Sequence, residues 1–262
     1  MTTSKFINKI ICHNSMELLP QLSDNSVDVV ITDPPYFLDK LDSNWEHSKV
    51  ANQKNRNVVK SLPAGMKFDR KQGKELYEWY LKISNELFRI LKPGGFFFSF
   101  SSPRLYHRMA SAVDDAGFEI RDAFMWLYTQ NQPKAMGMKH FIDKLEISSK
   151  DKEKLNIKLS GWKTPQLKSC FEPIAVAQKP TDKTYLKNMQ RYQVGLLNTS
   201  VKIGDNMHPS NVMATDNIND IVDRAFLVSK PTKQEKGAYN LHNTVKPLQL
   251  CEHLIKLTAF AD

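Results

Sequence analysis

The stretch SVDVVITDPPY ends an apolar run in Asp33-Pro34-Pro35-Tyr36. Both prolines fix φ, and Pro35 holds Pro34 in an extended conformation, so the tetrapeptide is stiff. It offers a carboxylate and a carbonyl as acceptors, and Tyr36 supplies a flat aromatic face. That set suits a planar group bearing an amino nitrogen: two acceptors for the NH₂ and a ring to stack on. The exocyclic amine of a nucleobase meets this description. Four residues recur by chance in many chains, so the weight lies with what surrounds them.

The surrounding elements read as an α/β sheet. Residues 26–33 are nearly continuous apolar and β-branched, as expected of a buried strand in a parallel sheet. Ligands in such sheets sit at the carboxyl ends of strands, where Asp33 stands. A short strand is predicted in FINKIICHNS and a short helix in SMELLPQL. Leu76, Tyr80, Ile83, Leu87 and Leu91 recur at helical spacing until Pro93-Gly94-Gly95 stops the pattern. FFFSF follows as a buried strand. Ser102-Pro103 reads as an N-cap and first-turn proline of a helix to about Ala116. FEIRDAFMWLY is one long strand or a pair, and FEPIAVAQ is another strand. KPLQLCEHLIKLTAF is an amphipathic helix with proline near its start.

Two tracts break the rhythm, residues 37–72 and 129–168. Both are basic and irregular, the second with a short helix around MKHFIDKLE, and both are longer than ordinary connections. Residues 180–240 show little periodicity and read as an insertion. The chain of 262 residues carries 37 Lys and Arg against 28 Asp and Glu, a net charge of +9 that suits nucleic acid as a partner. Its apolar runs are strand-sized, so no membrane span is expected, and the N-terminus lacks the apolar core of a secretion signal. Cys12, Cys170 and Cys251 are far apart, which argues against a metal site or a disulfide framework and favours the cytoplasm.

Taken together in order, SVDVVITDPPY, LKPGG before FFFSF, and HNTVKPLQL resemble the amino-group DNA methyltransferases that use S-adenosyl-L-methionine. The motif order is that of the permuted β-type members. WLYTQNQPKAMGMKHFID, SCFEPIAVAQKP and FLVSKPTKQEKG extend the resemblance to segments found in restriction-modification and prophage members. It implies a Rossmann-like sheet with an inserted target-recognition region at 180–240. Residues 1–179 would then form the catalytic domain, and 241–262 a helix returning to it.

The resemblance also implies roles. Asp33 and the Pro34 carbonyl would bond the target amino group, Pro35 would stiffen the turn, and Tyr36 would stack on a base flipped out of duplex DNA. Asn14, Asp33, His242, Thr244, Lys246 and Pro247 would line the cofactor. Relatives usually carry aspartate where Asn14 stands and proline where Asn243 stands. Lys49, Lys54, Arg56, Pro133 and Lys134 would lie on the DNA side, the basic ones contacting phosphates. Carbon-5 cytosine methylation fits poorly, because that chemistry uses a cysteine, typically after proline, and none of the three cysteines follows one.

Aspartate at the first motif position leans toward adenine N6, with cytosine N4 the nearest alternative. The family's glycine-rich turn would follow LIKLTAF, and the sequence stops before it. The sheet is therefore expected to be incomplete at the C-terminus. Three readings stay open: a truncated chain, one half of a split enzyme with the glycine-rich half on a second chain, and a non-catalytic DNA-binding remnant; a homo-oligomer is the other partner expected.

Overall fold

The computed structural model describes residues 6–34, 70–128, 135–200, 210–214, 229, 231–237, 247–249 and 252. The chain divides into two compact units, Met1–Thr215 and Asp216–Asp262. In the first, α1 (Ser15–Leu18) leads through a 3₁₀ turn to β1 (Val27–Thr32). α2 (Arg70–Ile90), β2 (Leu91–Phe100), α3 (Tyr106–Asp115) and β3 (Glu119–Leu127) follow. Then come α4 (Lys139–Ile142), α5 (Ser149–Lys158), β4 (Phe171–Gln178), α6 (Tyr185–Tyr192) and β5 (Val212–Ala214).

The five-stranded sheet has the order β1-β2-β4-β3-β5. β1 is parallel to β2 and β3 to β5, while β4 runs against both β2 and β3. Four strands therefore point one way, with β4 reversed between β2 and β3. The α/β class expected from the sequence is present, with an antiparallel strand that apolar pattern alone does not announce.

α2 and α3 cover one face. The buried row Leu76, Tyr80, Leu87 and Ile90 of α2 packs with Phe97, Met109, Ala112, Val113 and Phe118. Neighbouring strand positions point the other way, so Phe96 and Phe98 lie on the opposite face. There Phe98 stacks on Phe124, with centroids 6.1 Å apart and planes 5° from parallel. The α2 C-terminus is held by two cations. Arg89 donates to the Leu19 and Leu22 carbonyls and pairs with Asp24 and Glu86. Lys179 donates to the Phe88 and Leu91 carbonyls and to Asn25, over the Phe88 ring, and satisfies acceptors that a helix end leaves open.

The start of β2 is a knot of buried amides. Gly94 adopts φ +83°, and Asn188 of α6 donates to the carbonyls of Pro93 and Val194 while accepting from Asp182 N–H. Gln178 donates to the Gly94 and Gly195 carbonyls. α6 is thereby fastened to the sheet by a polar side chain that is 1% exposed.

Leu91, expected on the helical stripe, and Pro93-Gly94-Gly95, expected as its stop, belong to β2, the helix ending at Ile90. Three further expectations change. Residues 6–13 form no strand: they are turn and coil, and Ile7, Ile10 and Ile11 are exposed. A strand needs a hydrogen-bonded neighbour, and none lies beside them among the described residues. β1 is not buried on both faces. Among the described residues it is an edge strand, with Val29 47% and Ile31 67% exposed. Finally, α3 starts at Tyr106 rather than at Ser102-Pro103. The Ser102 carbonyl accepts from Leu105 and Tyr106 N–H, while its hydroxyl is buried without a partner among the described residues.

In the second unit, Thr232 caps α7 (Lys233–Lys236) by accepting from Glu235 N–H, and the Leu248 N–H donates to the Glu235 carboxylate. No described helix is long and apolar enough to cross a membrane, and the described residues hold no cluster of metal ligands.

Candidate active site

β1 brings Asp33 to its carboxyl end. Thr32 is its last paired residue, opposite Ser99 of β2. Pro34 then lacks the N–H that a ladder needs, so pairing stops there. Asp33 is exposed and its carboxylate makes no hydrogen bond to any described residue. Pro34 is half-buried beside it.

Beneath this end sits a polar post that the sequence reading passed over. The Tyr80 hydroxyl of α2 hydrogen-bonds the Ser99 hydroxyl, both fully enclosed. Burial pushes the Tyr80 phenol far above its ordinary pKa; the Ser99 bond pulls the other way and the Asp33 carboxylate adds to the rise. Ser101 and Ser102 continue the buried serine run, with Ser101 N–H donating to the Pro173 carbonyl at 3.0 Å. The signal was available. A phenol on an otherwise aliphatic helix stripe needs a buried partner.

Asn14, predicted at the cofactor, is the N-cap of α1. Its Oδ1 accepts from Met16 N–H at 3.0 Å and its amide donates to Glu17. Its side chain is thus engaged in capping. Pro247 lies in the second unit, immediately before the helical residues 248 and 249. Pro35, Tyr36, Lys49, Lys54, Arg56, Pro133, Lys134, His242, Thr244 and Lys246 lie outside the described residues.

On the sheet face away from α2 and α3, a cavity of about 660 Å³ opens over Phe96, Phe98, Phe124 and Val176, rimmed by Arg121, Asp122 and Asn211. Nearer the carboxyl ends of the strands, Phe100 meets Trp126 edge to face, and Trp126 meets Tyr128 likewise.

A family profile described as DNA methylase, covering N6 and N4 methyltransferases, matches residues 27–262. The chain belongs to this DNA methylase family. Type II methyltransferase M.HindIII of Haemophilus influenzae is 28% identical over 254 residues, spanning 91% of this chain and 76% of that protein. Type II methyltransferase M.HpaI of Haemophilus parainfluenzae is 26% identical over 163 residues, 60% of this chain and 44% of that one. Among solved structures, the PvuII DNA methyltransferase, titled cytosine-N4-specific, aligns over 93% of this chain and 67% of its own. That alignment has 16% identity and a TM-score of 0.41. Within the DNA methylase match, Asp33 and Pro34 of the D-P-P-Y motif stand at the strand end where this kind of sheet holds ligands.

Proposed function

We propose that this DNA methylase family member methylates the N6 amino group of adenine in duplex DNA, with S-adenosyl-L-methionine as methyl donor. The observation that carries the reading is the Asp33 carboxylate, exposed and without a hydrogen bond to any described residue, next to Pro34 at the carboxyl end of β1. Two acceptors on a stiff turn match the two hydrogens of an exocyclic amine. An aromatic amine is a poor nucleophile because its lone pair is delocalised into the ring. Acceptors aimed at its hydrogens favour the pyramidal form, which frees the lone pair for in-line attack on a methyl group. Asp33 accepts one N–H and the Pro34 carbonyl the other, and the surplus proton leaves after transfer. Tyr36 is assigned to stacking on the flipped base.

The bound donor supplies an electrophilic methyl on sulfur. For its remaining contacts we assign Thr244, Lys246 and Pro247, with His242 beside them, from the sequence resemblance. Asn14 fits less well, since its amide oxygen already caps α1. Target recognition is assigned within 180–240. We leave α6 out of that role, because its Asn188 donates to the Pro93 carbonyl at the sheet end opposite Asp33.

A further strand beside β1 belongs to the same reading. An interior strand of a parallel sheet is apolar on both faces, and β1 has that composition with one edge unpaired among the described residues and Val29 and Ile31 exposed. We assign the position beside it to a further strand of the same sheet. The test of function is methyl transfer from labelled S-adenosyl-L-methionine to mixed-sequence duplex DNA, followed by digestion to nucleosides. N6-methyladenine is the expected product. N4-methylcytosine would overturn the choice of base, and no labelled nucleoside would overturn the activity.

A further inference from the structure

Residues 135–170, between β3 and β4, are a built element and not an irregular loop. Leu127 ends β3 at the carboxyl side of the sheet and Phe171 starts β4 there, with Tyr128 N–H donating to the Cys170 carbonyl. A short ribbon continues outward. Gly137 pairs with Lys163, Met138 N–H reaches the Trp162 carbonyl, and Thr164 bonds Met136 through both backbone and hydroxyl. Beyond this neck α4 and α5 pack on each other around buried Ile142, and Lys152 donates to the Asp143 carbonyl. Ser148 caps α5 by accepting from Asp151 N–H.

The charge on this helical hairpin is uneven in two ways. Residues 135–168 carry eight lysines against four carboxylates, whereas the remaining described residues up to 214 carry fourteen Lys and Arg against thirteen Asp and Glu. The surplus charge of the described first unit is therefore concentrated here. Secondly, Lys150, Lys154 and Lys158 recur every fourth residue of α5, which puts three exposed ammonium groups on one face. Their steps of about 6 Å along the helix span about 12 Å. One DNA strand carries a phosphate per roughly 3.4 Å of axis, so that row is long enough to meet several phosphates. Lys150 and Lys158 make no ion pair among the described residues, and Lys154 meets Asp151 only at 3.9 Å.

Position favours the same partner. β3 is three strands from β1 in the order β1-β2-β4-β3 and runs in the same direction. The neck therefore leaves the sheet about 14 Å from the Asp33 strand, at the same end. That offset is about four base-pair steps, within reach of a duplex engaged at Asp33. We infer that the α4–α5 hairpin is a phosphate clamp, gripping the backbone of duplex DNA a few base pairs from the target base through Lys150, Lys154 and Lys158. This rests on the proposed action on DNA. It names the contact, which carries no sequence information and serves to hold register.

The test is binding of a short fluorescein-labelled duplex of mixed sequence, read by anisotropy between about 50 and 200 mM salt. Wild type is compared with a Lys150→Gln/Lys154→Gln/Lys158→Gln variant and with a control, Lys74→Gln/Lys82→Gln/Lys187→Gln, on exposed lysines elsewhere. The clamp variant loses about 2–3 from the slope of log K against log salt, near 0.9 per phosphate, and binds at least about tenfold more weakly at low salt. The control keeps the wild-type slope and affinity, and melting curves confirm that both variants fold. An unchanged slope in the clamp variant overturns the proposal, as does an equal loss in the control. Tighter binding of the single strand than of the duplex overturns the choice of partner. Methyl transfer measured in parallel separates the two claims. An active wild type with an unaffected clamp variant sinks the clamp alone, whereas a wild type that neither binds nor methylates DNA sinks both.

Discussion

Gly94→Ala should be among the most damaging small changes in the chain, for two reasons that can be separated. At φ +83° a residue with a Cβ is strained by about 1–2 kcal/mol. The added methyl would also lie under 3 Å from the Asn188 amide nitrogen, too close for any real contact. Asn188 would have to move, and it is 1% exposed with its amide donating to Pro93 at 3.0 Å and Val194 at 2.9 Å. Leaving such groups unpaired costs about 1–3 kcal/mol. The expected total is roughly 2–5 kcal/mol, or a fall in Tm of about 5–15 °C at this size. Urea and thermal melts followed by circular dichroism read it. Gly137→Ala is the control, with nothing within 4 Å of its added Cβ, and should change little. The decisive comparison is a double-mutant cycle with Asn188→Ala. Once the amide is gone the severe clash disappears, and Gly94→Ala should then cost its backbone strain and a tight 3.1 Å approach to the Gly195 Cα, less than in the wild-type background. Strict additivity, or a Gly94→Ala protein as stable as wild type, would refute this account of the β2 start.

Tyr80→Phe removes the partner of the buried Ser99 hydroxyl and should cost about 1–3 kcal/mol in urea unfolding. It should also change the alkaline limb. The folded phenol is held well above its ordinary pKa while the unfolded one ionises near 10. The stability it contributes is therefore complete below about pH 10 and lost as pH rises above it, and Tyr80→Phe should flatten that loss. An unchanged alkaline profile would contradict the burial of this hydroxyl. Ile31→Lys, at a position 67% exposed on an open sheet edge, should leave the melting temperature nearly unchanged and lower concentration-dependent light scattering. A large loss of stability would mean that β1 is covered in the chain alone.

Much of the frame was legible because it rests on period and punctuation. The α2 stripe at Leu76, Tyr80 and Leu87 is helical spacing, and the runs that became β1, β2 and β4 are bounded by turn residues. The direction of β4 was not legible, since an apolar run reads the same in either sense. α5 was missed because SKDKEKLNIK has almost no apolar face, and a helix polar all round leaves little pattern. α6 was missed because the residue that anchors it, Asn188, is polar. Ser102-Pro103 misled because the serine hydroxyl turns inward and its carbonyl does the capping. For the site, Asp33 at a strand end followed from sequence alone. The Tyr80–Ser99 post beneath it did not, because its two halves lie 19 residues apart on different elements.

The central claim is that Asp33 acts on the amino group being methylated and does not merely finish a turn. The direct measurement is single-turnover methyl transfer to duplex DNA by wild type and Asp33→Ala, with DNA affinity measured in the same samples. The account predicts a loss of at least about a hundredfold in transfer rate, the scale of removing one aimed hydrogen-bonding group from a transition state, with DNA affinity retained. An Asp33→Ala protein that still folds, binds DNA and transfers methyl at the wild-type rate would contradict it.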